Sequence, residues 1–221
     1  DVIIMPSMNP DGFEALTRVN SNGRDLNRNF PDQYQDPDDT VKGRELEVKS
    51  VMQFTRSYPV VLTANLHGGS LGANYPFDGT PSGKSEPNPP PDEALYKQLA
   101  LSYSIAHGKM YQSTEFSKGI VQGSVWYSLF GGLQDWVEKD VGAWALTMEL
   151  SDIKNPAENT LEGFWKDNQE SLLVYAEQIY TGVHGIVVEA GGGHPRFVGT
   201  WQIYRIRGQN ACQYGEVGKI I

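Results

Sequence analysis

Disulfides are excluded first. The 221 residues hold one cysteine, Cys212, so no intramolecular bridge can form. Histidines are few (His67, His107, His184 and His194) and too scattered for zinc-finger spacing. No apolar run is long enough to cross a bilayer. Positive charge is scarce too: 18 Lys and Arg against 27 Asp and Glu leave a net charge of −9. That balance argues against nucleic acid or an anionic membrane as a partner. It does not exclude a cationic substrate, because an acidic pocket can sit on an acidic protein. The chain also lacks an initiator Met and a visible signal peptide. It opens DVIIMPSMNPDGF, already inside an apolar run, and such a start suggests a fragment or a processed product.

What remains is 39% hydrophobic, enough for one substantial core and a small second module. Val2 to Met5 reads as a short buried strand, and Asn9 to Gly12 as a turn. Thr17 to Arg28 reads as a polar loop. Helices are expected over Thr40–Arg56, Asp92–His107 and Asn159–Tyr180, from apolar residues at helical spacing. The first takes Leu46, Val48, Val51, Met52 and Phe54 as its apolar face; the last takes Leu161, Phe164, Trp165, Leu172, Tyr175 and Ile179. Buried strands are expected over Val60–Leu66 and Ala143–Leu150. The segment after the first of these strands reads as a long loop, and Gly119–Gly132 as an irregular stretch over a site. Strands alternating with helices predict an α/β domain, a mixed and largely parallel sheet with helices on both faces. Ligands bind such sheets beyond the carboxyl ends of the strands, where His67 and Glu149 both fall.

Each candidate residue has a plain alternative. His67, followed by two glycines, is either a hydrogen-bonded strand end or a metal ligand. Glu149, in TMELSD, is either paired with a cation or raised by burial towards a general base. Arg28, flanked by asparagines in DLNRNF, is an exposed loop residue or a carboxylate grip. Tyr127 is a partly buried aromatic beside glycines. Asp78 is a turn residue before Gly79 or the base of a pocket.

Taken in order, NPDGFE, TRVNSNGRDLNRNFPD, NLHGGSLGANYPFD, VWYSLFGGLQD and TMELSDIKNP resemble the zinc metallocarboxypeptidases. Within them they resemble the regulatory branch that includes carboxypeptidases D, E, N and M. The resemblance runs from Asp1 to about Val188. It implies one Zn²⁺ bound by His67 and a His-x-x-Glu pair, with Glu149 as general base. It implies that Arg18 polarises the scissile carbonyl and that Asn27 and Arg28 grip the terminal carboxylate. Tyr127 would close over the bound residue. Asp78, with Gln134, would receive a Lys or Arg side chain. The implied activity is hydrolysis of the C-terminal peptide bond of peptides or proteins, preferring basic residues. The implied location is secreted or in the secretory pathway.

The pattern breaks twice. No histidine here has a Glu three residues later, so the chain as given is expected to be inactive. It is expected to be N-terminally truncated rather than decayed, because the other site residues all match. A non-catalytic protein that holds peptide C-termini is the alternative. After a catalytic domain at 1–181, residues 182–221 read as a partial, degenerate transthyretin-like β module, in which only GVHGIVVEA matches. The whole reading requires His67, Glu149 and Arg28 to face one cleft.

Overall fold

The computed structural model describes residues 1–38 and 40–181 and the strand backbones 184–186 and 200–202. The chain divides into two compact units, Asp1–Ala176 and Glu177–Ile221.

The first unit is built on a four-stranded mixed sheet. Its strands are β1 (Leu62–His67), β2 (Ser70–Tyr75), β3 (Ile120–Gln122) and β4 (Trp144–Ser151). Their order is β1-β4-β2-β3. The β1–β4 and β2–β3 ladders are parallel, while β2–β4 is antiparallel. The helices are α1 (Pro10–Ala15), α2 (Leu46–Arg56), α3 (Glu93–His107), α4 (Gly123–Trp126), α5 (Leu133–Trp136) and α6 (Leu161–Glu177). The fold class is the expected one.

β4 sorts the two faces, because side chains alternate along a strand. Trp144, Leu146 and Met148 point to one side, where Trp144 meets Tyr96 of α3 edge-on at 5.0 Å. Ala145 points to the other, into a cluster with Phe30, Val48, Met52, Trp136 and Val137. Thr147 and Glu149 follow Ala145 on that second face. Register then places His67 beside Glu149 on one flank and Gly72 opposite Glu149 on the other.

Several expectations need correction. Val2 to Met5 forms no strand, and Val2, Ile3 and Ile4 are more than half exposed. β-branched residues make a strand only where a neighbour supplies a ladder. α2 begins at Leu46, not Thr40, because Gly43 takes φ +80° and breaks the run. Arg44 instead turns back to donate to the carbonyls of Asn29, Phe30 and Thr40. Leu46 itself is exposed.

On α6 the expected apolar face is only partly right. Leu161 and Trp165 are exposed, whereas Asn168, Ser171 and Tyr175 are buried. Hydrogen bonds dock that stripe: Tyr103 donates to Asn168 Oδ1 at 2.7 Å, and Tyr175 donates to the Thr63 carbonyl at 2.8 Å. β2 lies in the segment expected to be a loop: SLGANY is small and partly polar, yet it forms a largely buried strand. Its smallness has a cause: a Cβ at Gly72 would stand 2.5 Å from Phe116 Cδ2.

In the second unit, β5 (His184–Ile186) pairs antiparallel with β6 (Thr200–Gln202). Most of the expected transthyretin-like module lies outside the described residues.

The contact at Gly72 yields a stability prediction. Gly72→Ala should lose about 1–3 kcal/mol, the usual cost of overpacking. Urea midpoints measure it, and Phe116→Leu in the same chain should recover part of the loss.

Candidate active site

The cleft starts at a turn. Asp25 Oδ1 accepts from the Asn27 amide at 3.0 Å, capping the turn Leu26–Arg28. Its Oδ2 accepts from Arg18 Nε at 2.7 Å. One carboxylate therefore sets the place of Arg18, Asn27 and Arg28 together. Asn27 Oδ1 then accepts from the Leu133 amide at 2.9 Å, tying the turn to the start of α5. Arg28 Nη1 donates to the Asn27 carbonyl at 2.8 Å. A cavity of about 430 Å³ beside Arg28, lined also by Phe30, Asp32 and Arg44, contains none of the other predicted site residues.

The second wall carries Asp78, which is 2% exposed. Asn74 Nδ2 and Gln134 Nε2 donate to its Oδ1 at 3.0 and 2.8 Å. Gly123 must lack a side chain, because a Cβ there would overlap Asp78 Oδ1. Burial pushes the Asp78 carboxyl up to about 6, against the pull of its amide donors and of Arg28.

At the sheet edge, His67 Nδ1 stands 3.7 Å from Glu149 Oε1. That is too long for a hydrogen bond. His67 Nε2 lies 2.9 Å from Asn65 Nδ2. Burial, helped by Arg18, Arg28 and Lys154, lowers the imidazole to about 4, so it is neutral at pH 7 with a lone pair to offer. Burial raises Glu149 to about 7, opposed by Lys154 and Arg18. A carboxyl in that range can take and return a proton near neutrality.

Charge effects link His67, Glu149, Arg18, Arg28 and Asp78, while hydrogen bonds join Gln134 to Asp78 and Asn27 to the start of α5. Tyr127 follows α4, with its amide on the Gly123 carbonyl and its ring against Trp126. It is 39% exposed, and among the described residues its side chain makes no hydrogen bond, ion pair or ring contact with the other seven. Three residues were not foreseen. Asp25 had a signal, an acidic residue directly before the LNR turn. Lys154, and Asp135, whose carboxylate accepts from the Asp78 and Gly79 amides, had none, because nothing local marks a side chain that acts on a distant segment.

A zinc ion fits these residues incompletely. His67 offers one imidazole, but no group of three His, Cys, Asp or Glu among the described residues could hold a metal. A catalytic zinc takes three protein ligands.

A model of the zinc carboxypeptidase family matches residues 1–171. Carboxypeptidase D of Homo sapiens is 41% identical over 208 residues, covering 86% of this chain and 15% of that protein. Carboxypeptidase SOL1 of Arabidopsis thaliana is 42% identical over 193 residues, covering 87% of this chain and 39% of that one. The chain thus spans a minor part of these relatives. Among solved structures, bovine thrombin-activatable fibrinolysis inhibitor superposes with a TM-score of 0.61 at 19% identity, over 80% of this chain and 68% of that one. That likeness concerns the fold.

The raised Asp78 carboxyl gives a pH prediction. Its folded value lies above the ordinary 3.8, so its contribution is full below about pH 4 and is lost as pH rises through about 6. Asp78→Asn should therefore gain on the wild type over that window, by up to about 3 kcal/mol. Urea midpoints at pH 4 and pH 7 provide the comparison; an equal difference at both would contradict it.

Proposed function

The chain belongs to the zinc carboxypeptidase family, and we propose that its cleft receives the last residue of a peptide and prefers lysine or arginine. The observation that supports this is a buried carboxylate, Asp78, held by two amide donors and within the electrostatic reach of Arg28. Asn27 and Arg28 would grip the terminal carboxylate, whose fork matches a guanidinium and an amide. Asp78 and Gln134 would meet the cationic side chain, and an acidic one would be repelled. Arg18 would polarise the carbonyl of the last peptide bond. Glu149 would move the proton from water to the leaving amine, and Tyr127 would cover the bound residue.

His67 is proposed as one zinc ligand. Zinc supplies an activated water when bound, but one imidazole does not hold it firmly. By itself the chain is proposed to bind peptide C-termini without cleaving them. Hydrolysis is proposed for a catalytic domain in which further ligands complete the site. A second reading, a non-catalytic holder of C-termini, draws on the same incomplete donor set. The coding sequence separates them: an HGNE-like motif ahead of Asp1 supports the enzyme, and a Met placed directly before it supports the holder. A secretory-pathway location belongs to the first reading and rests on the resemblance. Among the described residues, no helix is long and apolar enough to cross a membrane.

Two measurements test this. The 221-residue chain should retain less than one zinc per molecule after dialysis and release no arginine from a C-terminal Arg peptide; stoichiometric zinc with turnover would refute the first point. In binding assays, Asp78→Ala should lose about 30-fold or more of the preference for C-terminal Arg over Leu, the scale of a buried charge pair. A preference that survives the substitution would refute the pocket.

A further inference from the structure

Lys154 stands beside the cleft without a partner of its own. It is exposed, and among the described residues its ammonium makes no hydrogen bond or ion pair. Gly68 and Gly69 come directly after His67, and their turn has no side chain to keep another away. A Cβ at Gly69 would lie 3.4 Å from Lys154 Cε and 3.8 Å from its Nζ, and one at Gly68 would lie 3.4 Å from the Ile153 carbonyl oxygen. Two hydrogen bonds hold the lysine's segment against this turn. The Gly69 amide donates to the Ser151 carbonyl at 2.8 Å, and Ser151 Oγ donates to the Ile153 carbonyl at 2.8 Å. The lysine side chain therefore lies along the bare turn, at the end of the sheet that carries His67 and Glu149.

β2 orders the groups along the cleft. Gly72 is paired with Glu149. From there the strand runs one way to Ser70 and Gly69, where Lys154 lies, and the other way to Tyr75, beyond which the chain reaches Asp78. The charges follow the same order. Arg28 is the cation that acts on Asp78, whereas Lys154 acts on Glu149, ahead of Arg18, and on His67 as well.

We propose that Lys154 is a specificity-determining residue: it receives the side chain of an aspartate or glutamate one or two positions before the last residue of a bound peptide. This inference rests on the reading of Asn27, Arg28 and Asp78 as the seat of that last residue.

The argument is one of direction and reach. With the last side chain at Asp78 and the last peptide bond at Arg18 and Glu149, the preceding residues leave on the side away from Asp78, which is the side of Lys154. Gly69 lies three residues from Gly72, about 10 Å at roughly 3.3 Å per residue. An extended peptide covers that span in three residues, and the length of the lysine side chain shortens it to two or fewer. An arriving carboxylate would break no existing contact of Lys154. The other charges at this end are engaged: Arg18 holds Asp25 at 2.7 Å, and Glu115, which acts on Glu149, accepts from Ser70 Oγ at 2.6 Å.

Binding of acetylated peptides to the 221-residue chain, followed by fluorescence anisotropy at pH 7, tests this. One set ends in Arg and carries Asp, Ala or Lys at either of the two preceding positions; a matched Ala peptide ends in Leu. In at least one position Asp should bind about two- to five-fold tighter than Ala at low ionic strength, the scale of an exposed ion pair, with Lys weaker than Ala. The gain should shrink in high salt. Lys154→Ala should remove the difference between Asp and Ala, Lys154→Glu should reverse it, and Lys154→Arg should keep it.

Equal binding of Asp and Ala peptides, with Arg still preferred over Leu at the end, would overturn this inference and leave the basic pocket standing. A gain for Asp that persists in Lys154→Ala would overturn it too, and would assign the effect to Arg18. No preference for a terminal Arg would sink the pocket reading, and this inference with it.

Discussion

One row of residues across three hydrogen-bonded strands governs the site: His67 on β1, Glu149 on β4 and Gly72 on β2. A strand's side chains alternate strictly, so the row is fixed by what lies two rungs below it. There Ala145 enters the apolar cluster with Val48, Met52 and Trp136. A slip of one residue in β4 would turn Glu149 towards α3 and drive Leu146 and Met148 into the space that the smaller Ala145 and Thr147 now share with the cluster. Core packing thus decides that an imidazole and a carboxylate share the open end of the sheet. The empty position at Gly72 admits Phe116 beside Glu149, and apolar surroundings there keep that carboxyl's affinity for protons high.

Around this row the loops are set by carboxylates that do not themselves meet a ligand. Asp25 holds Arg18 and caps the turn of Asn27 and Arg28. Asp135 holds the backbone of Asp78 and Gly79. Asn27 joins the two systems through the Leu133 amide. Each of these bonds spends an acidic group on backbone or arginine so that another group stands ready. Burying acids costs stability, and raised carboxyls concentrated in one cleft are the pattern of a functional site rather than of a scaffold.

Much of this was legible in the sequence. β1, β4 and α3 announce themselves by apolar runs of the right period and length, and strand ends are where such sheets bind ligands. That sufficed to pair His67 with Glu149 in advance. What escaped had physical reasons. β2 hides because Gly72 and Ala73 leave room for neighbours instead of supplying bulk. Val2 to Met5 looks like a strand because propensity says nothing about whether a partner strand is alongside. The buried stripe of α6 holds Asn168 and Ser171 beside Tyr175, so hydropathy finds only part of that face. Motif resemblance singled out Asp78 as a candidate but not Lys154 or Asp135, whose influence arises only when distant segments fold together. Residues 187–199 and 203–221 lie outside the described structure.

The central claim is that one cleft reads both ends of a C-terminal basic residue. A crystal structure of the chain with a short peptide ending in arginine examines it directly. The terminal carboxylate should lie within hydrogen-bond distance of Asn27 and Arg28, and the guanidinium against Asp78. A peptide bound elsewhere, or with its guanidinium turned away from Asp78, would contradict it.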